Sequence, residues 1–135
     1  MKIVIMGCGR VGSQLAARFD HEGHQVSVVD INQKAFDRLP PEFTGRTVLG
    51  TAIDEDVLRQ AGIEDADAFV AMTEGDNRNI MAAQVAREVF HVPEVITRIY
   101  DPAREEIYRQ LGLHTVCPTI LVGERVYQQL TAGMK

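Results

Sequence analysis

The six residues Gly7-Cys8-Gly9-Arg10-Val11-Gly12 constrain this chain more than any other stretch. They follow the apolar run Lys2–Met6 without a break and open a pattern with Val11, Leu15, Ala16 and Phe19 on one helical face. Three glycines at this spacing, between a strand and a helix, each have a physical task. Gly7 permits the tight turn out of the strand. Gly9 lets the backbone approach a pyrophosphate with no Cβ in the way, and Gly12 lets the helix pack closely on the sheet. The free N–H groups and positive dipole end of the helix then face an anion. Asp30 ends the next strand, eighteen residues beyond Gly12. A carboxylate there accepts hydrogen bonds from both hydroxyls of a ribose and repels a 2′-phosphate, which favours an adenosine or NAD-like ligand over NADP. The alternative is a plain glycine turn, with Asp30 merely capping the next helix.

The rest of the chain repeats the same alternation. Strands are expected at Lys2–Met6, Gln25–Asp30, Thr47–Leu49, Ala68–Ala71, Val95–Ile99 and Thr115–Cys117. Helical patterns fall between them at Arg10–Glu22, Gln33–Leu39, Asp54–Ala61, Asp76–Phe90 and Pro102–Leu111, and a last helix runs from about Thr119 to Leu130. Pro40-Pro41 stops the second helical segment, and Gly62 and Gly112 end two others. Single helices between strands mean βαβ units, a parallel sheet and right-handed crossovers. The expected fold is α/β: a Rossmann-like, doubly wound, six-stranded parallel sheet with helices on both faces. Such sheets bind ligands beyond the carboxyl ends of their strands. That directs attention to Gly7–Gly12, Asp30–Asn32, Gly50–Ile53, Thr73–Asn79 and Arg98–Asp101.

Composition narrows the function. At 135 residues the chain suits one domain with a real core. A net charge of −5 and the lack of basic clusters interleaved with aromatics argue against nucleic acid as a partner. No apolar run approaches the roughly 20 residues of a membrane span, and Lys2–Met6 is too short for a signal peptide, so a cytoplasmic chain starting at Met1 is expected. Cys8 and Cys117 form no CxxC pair and read as free thiols. His21 and His24 lie in a turn with no Cys/His cluster nearby, so no zinc site is expected, while His91 and His114 read as structural. There is no GxSxG elbow, and Ser13-Gln14 stands where a Walker loop needs lysine.

Arg10 sits at the start of the first helix, where a cation opposes the dipole by about 0.3 kcal/mol. A ligand phosphate or a neighbouring subunit would explain it, as would plain solvation. Thr73 or Asp76 is expected as the N-cap of the long helix, with Thr73 also placed for ligand contact and Asn77 and Asn79 facing the cleft. Arg98 is expected to reach a carboxylate, a phosphate or the surface, because a buried unpaired guanidinium is expensive.

The runs MKIVIMGCGRVGSQLAARF, VSVVDIN, VLGTAIDEDVLRQAGIEDADAFVAMTEGDNRNIMAAQVAR and VITRIYDP together resemble the TrkA-N (RCK N-terminal, or KTN) domains. These are cytoplasmic regulatory domains of bacterial and archaeal potassium transporters and channels. The resemblance covers essentially the whole chain and is most specific in LRQAGIEDADAFVAMT and RIYDP. It implies a nucleotide sensor without catalytic residues, binding NAD(H) or ATP/ADP and gating a membrane-embedded potassium transporter or channel subunit. Carried onto this sequence, it places the phosphates at Gly7, Cys8, Gly9, Arg10, Val11 and Gly12 and the ribose at Asp30 and Ile31. Adenine falls at Thr51, Ala52 and Ile53, and the far edge at Thr73 and Arg98.

The sequence departs from the family phrase GDAT, with Thr51 for the aspartate and Ile53 for the threonine, so polar contacts at the adenine end do not transfer directly. Arg98, Ile99 and Tyr100 stand where channel-type members carry calcium-binding acids, so no metal is expected. A second, C-terminal ligand domain is common in the family. A chain ending at Lys135 is then either an excised N-terminal domain or a naturally short member. Leu121, Val122, Val126, Tyr127 and Leu130 make residues 119–131 a candidate dimer-forming helix, implying a homodimer and possibly a larger ring. The competing readings are the cofactor-binding domain of an NAD-dependent oxidoreductase and a redox-sensing repressor. The first needs a substrate region and the second a DNA-binding element, and the sequence shows neither.

Overall fold

Alternation along the first strand decides the layering. In β1 (Lys2–Met6), Ile3 and Ile5 join one apolar cluster, Val4 and Met6 join another, and all four are buried. A strand buried on both faces belongs inside a parallel sheet covered on both sides. The computed structural model describes residues 1–134 and shows that arrangement. The strands β1, β2 (Gln25–Asp30), β3 (Arg46–Leu49), β4 (Ala68–Ala71), β5 (Glu94–Arg98) and β6 (His114–Val116) form one sheet in the order β3-β2-β1-β4-β5-β6. Every pairing is parallel, with Ile5 opposite Val28 on one side and Val70 on the other.

Helix α1 (Arg10–His21) and a short 3-10 helix (Gln33–Arg38) cover the β1–β2 side through Ala16, Leu15, Phe19, Ala35 and Phe36. Helices α2 (Glu55–Gln60), α3 (Asp76–Gln84) and α4 (Pro102–Gln110) lie on the opposite side. There Leu58, Ala82, Ala83 and Tyr108 pack against Val4, Phe69 and Val95. The chain thus winds one way from β1 to β3 and the other way from β4 to β6. Order reverses between β1 and β4, which opens the crevice beyond their carboxyl ends where such sheets take ligands.

The expected fold stands, and four local readings change. Val11 is 44% exposed, so it does not face the core with Ala16. The helix expected over Asp76–Phe90 is α-helical only to Gln84 and continues as a π-helical turn over Val85–Val89, leaving Val89 exposed. The N-cap of α3 is Gly75, with no side-chain cap. Asp76 instead turns its carboxylate to the amides of Tyr100 (2.8 Å) and Asp101 (3.1 Å), tying α3 to the end of β5. Finally, Asn32 caps the 3-10 helix by accepting from the Lys34 amide, so the capping role open to Asp30 belongs to its neighbour.

Helix α5 (Pro118–Thr131) differs from the others in having no buried residue, although Leu121, Val122, Val126, Tyr127 and Leu130 are apolar or aromatic. Its start is anchored to the sheet, since the Thr119 hydroxyl donates to the Tyr100 carbonyl at 2.7 Å. Among the described residues no helix is long and apolar enough to cross a membrane.

Candidate functional site

A cleft of about 800 Å³ opens beyond the carboxyl ends of β1, β2, β4 and β5. Its floor begins with the glycine loop. Gly7 leaves β1 at φ +105°, a conformation side chains resist, and its amide donates to Val29 O at 2.8 Å. A Cβ on Gly12 would sit 1.8 Å from Gly7 O, so only glycine lets α1 start this close to the loop it follows. Gly9 is the opposite case: its φ is −81°, and a Cβ there would meet nothing within 4 Å. That open space faces the cleft, so the glycine keeps room for a ligand. As N-cap of α1, Gly9 offers no side-chain acceptor, and the first turn carries no acidic residue. The first-turn amides are therefore an uncapped donor set for an anion.

Asp30 is bound into the same loop. Its Oδ2 accepts from the Cys8 amide at 2.8 Å and its Oδ1 from the Asn32 amide at 2.8 Å. An ionised carboxylate has about four lone-pair sites, so about two remain for a vicinal diol. Burial, and secondarily the Asp30 carboxylate, push the Cys8 thiol up to about 11, against a smaller opposing pull from Arg38. Cys8 is thus an inert, buried lining group, not a nucleophile.

The far wall is a closed polar network. Asn79 is fully buried; its Nδ2 donates to Thr73 O and Arg98 O, both at 2.9 Å, and its Oδ1 accepts from Thr73 N (3.0 Å) and Thr73 Oγ1 (2.6 Å). Arg98 is buried and donates through Nη2 to Met72 O (2.7 Å) and Thr73 O (3.0 Å), with its guanidinium 4.9 Å from the Tyr100 ring centroid. The carboxylate or surface contact expected of Arg98 is therefore corrected. Carbonyls at the end of β4 and an aromatic face hold it, because the strand order brings β4 and β5 side by side. The same network engages the Thr73 hydroxyl, which also accepts from the Gly75 amide at 3.2 Å.

Of the candidate residues, Gly7, Cys8, Gly9, Arg10, Val11, Asp30, Ile31, Thr51, Ala52, Thr73 and Arg98 line this one cleft. Gly12 lies beneath it in the packing of α1, and Ile53 lies outside it, exposed. Asn79 is in the wall, not facing the cleft, and Asn77 bonds Arg104 at its outer mouth. Sequence reasoning missed Arg38, Arg78 and Tyr100, all of which line the cleft. No local pattern flags Arg38, whereas Arg78 and Tyr100 lie within the runs Thr73–Asn79 and Arg98–Asp101 already singled out. The lining holds four guanidinium groups (Arg10, Arg38, Arg78 and Arg98) against the carboxylates of Asp30 and Glu74. An anionic ligand suits that balance. A second concavity of about 760 Å³, lined by Lys2, His24, Arg46 and Asp65, lies at the opposite ends of the strands, away from the glycine loop. Among the described residues no group of three or more His, Cys, Asp or Glu side chains is placed to hold a metal ion.

Comparison with known proteins bears on the whole chain. The sequence profile of the TrkA-N domain matches residues 3–119. A Trk system potassium uptake protein TrkA from Streptomyces coelicolor is 51% identical over 130 residues, covering 96% of this chain and 58% of the relative. A TrkA homolog from Pyrococcus abyssi is 35% identical over 111 residues, covering 82% of this chain and 49% of the relative. The chain therefore spans about half the length of these relatives. Among solved structures, the TrkA-N domain of the inner membrane protein ybaL from Escherichia coli superposes with a TM-score of 0.84 at 22% identity, covering 96% of each chain. GsuK bound to ADP gives 0.71 at 22% identity over 86% of this chain and 31% of its own. The GsuK channel bound to NAD gives 0.71 at 23% identity over 87% and 21%.

Proposed function

The chain belongs to the TrkA-N domain family, and from that premise we propose that it is the nucleotide-sensing regulatory module of a potassium uptake system. NAD(H), ADP or ATP occupies the cleft beyond β1, with phosphates on the first-turn amides of α1 and Arg10 beside them. The ribose diol lies on Asp30, adenine near Thr51 and Ala52, and the distal group near Thr73 and Arg98. The observation that carries this reading is the uncapped start of α1 beside an aspartate with free lone pairs, in a cleft of positive balance. The relatives named as potassium uptake proteins supply the process. The neighbours of like fold bound to ADP and to NAD supply the ligand class.

The module does no chemistry of its own. The one thiol lining the cleft, Cys8, is held protonated and not activated, which supports that reading. A ligand gates by binding one arrangement of the assembly more tightly than another. The exposed apolar face of α5 pairs with a second copy, and the dimer works from the cytoplasm on a membrane-embedded potassium transporter or channel subunit.

Calorimetric titration of the chain with NAD⁺, NADH, ADP and ATP, with molar mass measured in parallel, tests this. One site per chain and a dimer are expected. Absence of binding by all four nucleotides refutes the sensor reading, and hydride turnover with NAD⁺ on a small alcohol or acid would favour an oxidoreductase instead.

A further inference from the structure

None of the four guanidinium groups of the cleft takes part in any ion pair among the described residues. Arg98 is held by carbonyls in the far wall. Arg38 stands elsewhere, at the end of the 3-10 helix that follows β2 and Asp30. Its one hydrogen bond among these residues is a long one, Nη1 to Cys8 O at 3.4 Å. Cys8 is also the residue whose amide Asp30 Oδ2 holds at 2.8 Å. Carboxylate and guanidinium thus meet on the two sides of one residue, at the ribose end of the cleft.

That pairing changes what the ribose end accepts. Asp30 alone would repel a phosphate on the 2′-oxygen, but each of its oxygens already accepts an amide, and a full positive charge stands close by. A ribose held by Asp30 turns its 2′-oxygen toward the segment after β2, the place from which an arginine accommodates a 2′-phosphate in folds of this kind. Arg38 is exposed and loosely held, so it reaches a phosphate without breaking a strong contact. We propose that Arg38 is a specificity-determining residue that pairs with a 2′-phosphate on the adenosine ribose. The cleft then admits 2′-phosphorylated adenine nucleotides beside unphosphorylated ones. This rests on the nucleotide reading above and reverses the expectation, drawn from Asp30 alone, that a 2′-phosphate is shut out.

Adenosine 5′-monophosphate and adenosine 2′,5′-bisphosphate differ only in the group at issue. Their affinities are measured by calorimetry for the wild-type chain, Arg38→Gln and Arg38→Lys, with NAD⁺ and ADP as reference ligands. The wild type binds the bisphosphate at least as tightly as the monophosphate. Arg38→Gln weakens the bisphosphate about tenfold or more, the scale of one lost charge-assisted hydrogen bond, and the monophosphate by less than about threefold. Arg38→Lys falls between. Equal losses for both probes would put Arg38 on the adenine or the 5′-phosphate and overturn the proposal. A wild type that binds NAD⁺ and ADP but strongly rejects the bisphosphate overturns it too, leaving the nucleotide reading intact. Failure of every adenine nucleotide to bind would overturn both.

Discussion

Gly9 and Gly12 are three residues apart in one loop, and the geometry assigns them opposite sensitivities. A Cβ at Gly12 lies 1.8 Å from Gly7 O and 3.0 Å from its carbonyl carbon, whereas real Cβ contacts essentially never fall below 3.0 Å. Gly12→Ala therefore forces α1 to withdraw by more than about 1 Å from a buried backbone, at about 3 kcal/mol, the upper end of overpacking costs. In a chain of this size that lowers the melting temperature by about 10 °C. A Cβ at Gly9 meets no atom within 4 Å at φ −81°, so the folding stability of Gly9→Val is expected to stay within about 0.5 kcal/mol of wild type. Its side chain fills the space before the first-turn amides. Losing two charge-assisted hydrogen bonds of about 1.5–3 kcal/mol each weakens a nucleotide by about 100-fold or more. Urea melts and calorimetric titrations of both variants measure the two effects separately. Undiminished nucleotide affinity in Gly9→Val, or an unchanged melt in Gly12→Ala, would refute the assignment of roles.

Other expectations follow from the same geometry. Because the Cys8 thiol is pushed up to about 11, the folded chain keeps a proton that the unfolded chain gives up from about pH 9. Stability is full below pH 9 and falls as pH rises toward 11, and Cys8→Ala flattens that decline in urea melts at pH 8 and 10.5. Identical slopes in both proteins would contradict the burial argument. Arg98→Leu leaves the carbonyls of Met72 and Thr73 without their guanidinium donor and lowers stability by about 2 kcal/mol by denaturant melt. Arg98→Lys restores part of it, since one ammonium does not reproduce the planar fork. Val126→Glu with Leu130→Glu, at positions 50% and 72% exposed, is expected to convert the proposed dimer to a monomer in sedimentation without changing the circular dichroism spectrum. A chain that is monomeric before the substitution refutes the α5 pairing.

The parts of the fold legible in the sequence are those written in short range. The glycine loop, the strand-end aspartate and the period of each element are local patterns, and they place β1 to β6 and most of the cleft lining within a residue or two. What escaped depends on contacts between distant segments. Arg98 looked like a cation in need of an acid, because the sequence does not show that β4 ends beside it with two carbonyls able to accept from its guanidinium. Asp76 looked like a helix cap, but the amides of Tyr100 and Asp101 claim its carboxylate across the chain. Val11 fits a helical stripe by spacing, yet the tight start of α1 beside Gly7 turns it toward the cleft. Arg38 carries no motif at all; only the 3-10 helix brings it back to Cys8.

The central claim is that a nucleotide lies on the glycine loop and Asp30. The most direct test is to map amide chemical-shift changes while the 15.0 kDa chain is titrated with ADP. The account predicts the largest shifts at Cys8, Gly9, Arg10, Asn32 and Thr51, saturating together at one equivalent per chain. Shifts centred on His24, Gly45 and Arg46, in the concavity at the other end of the strands, or no saturable shifts at all, would contradict it.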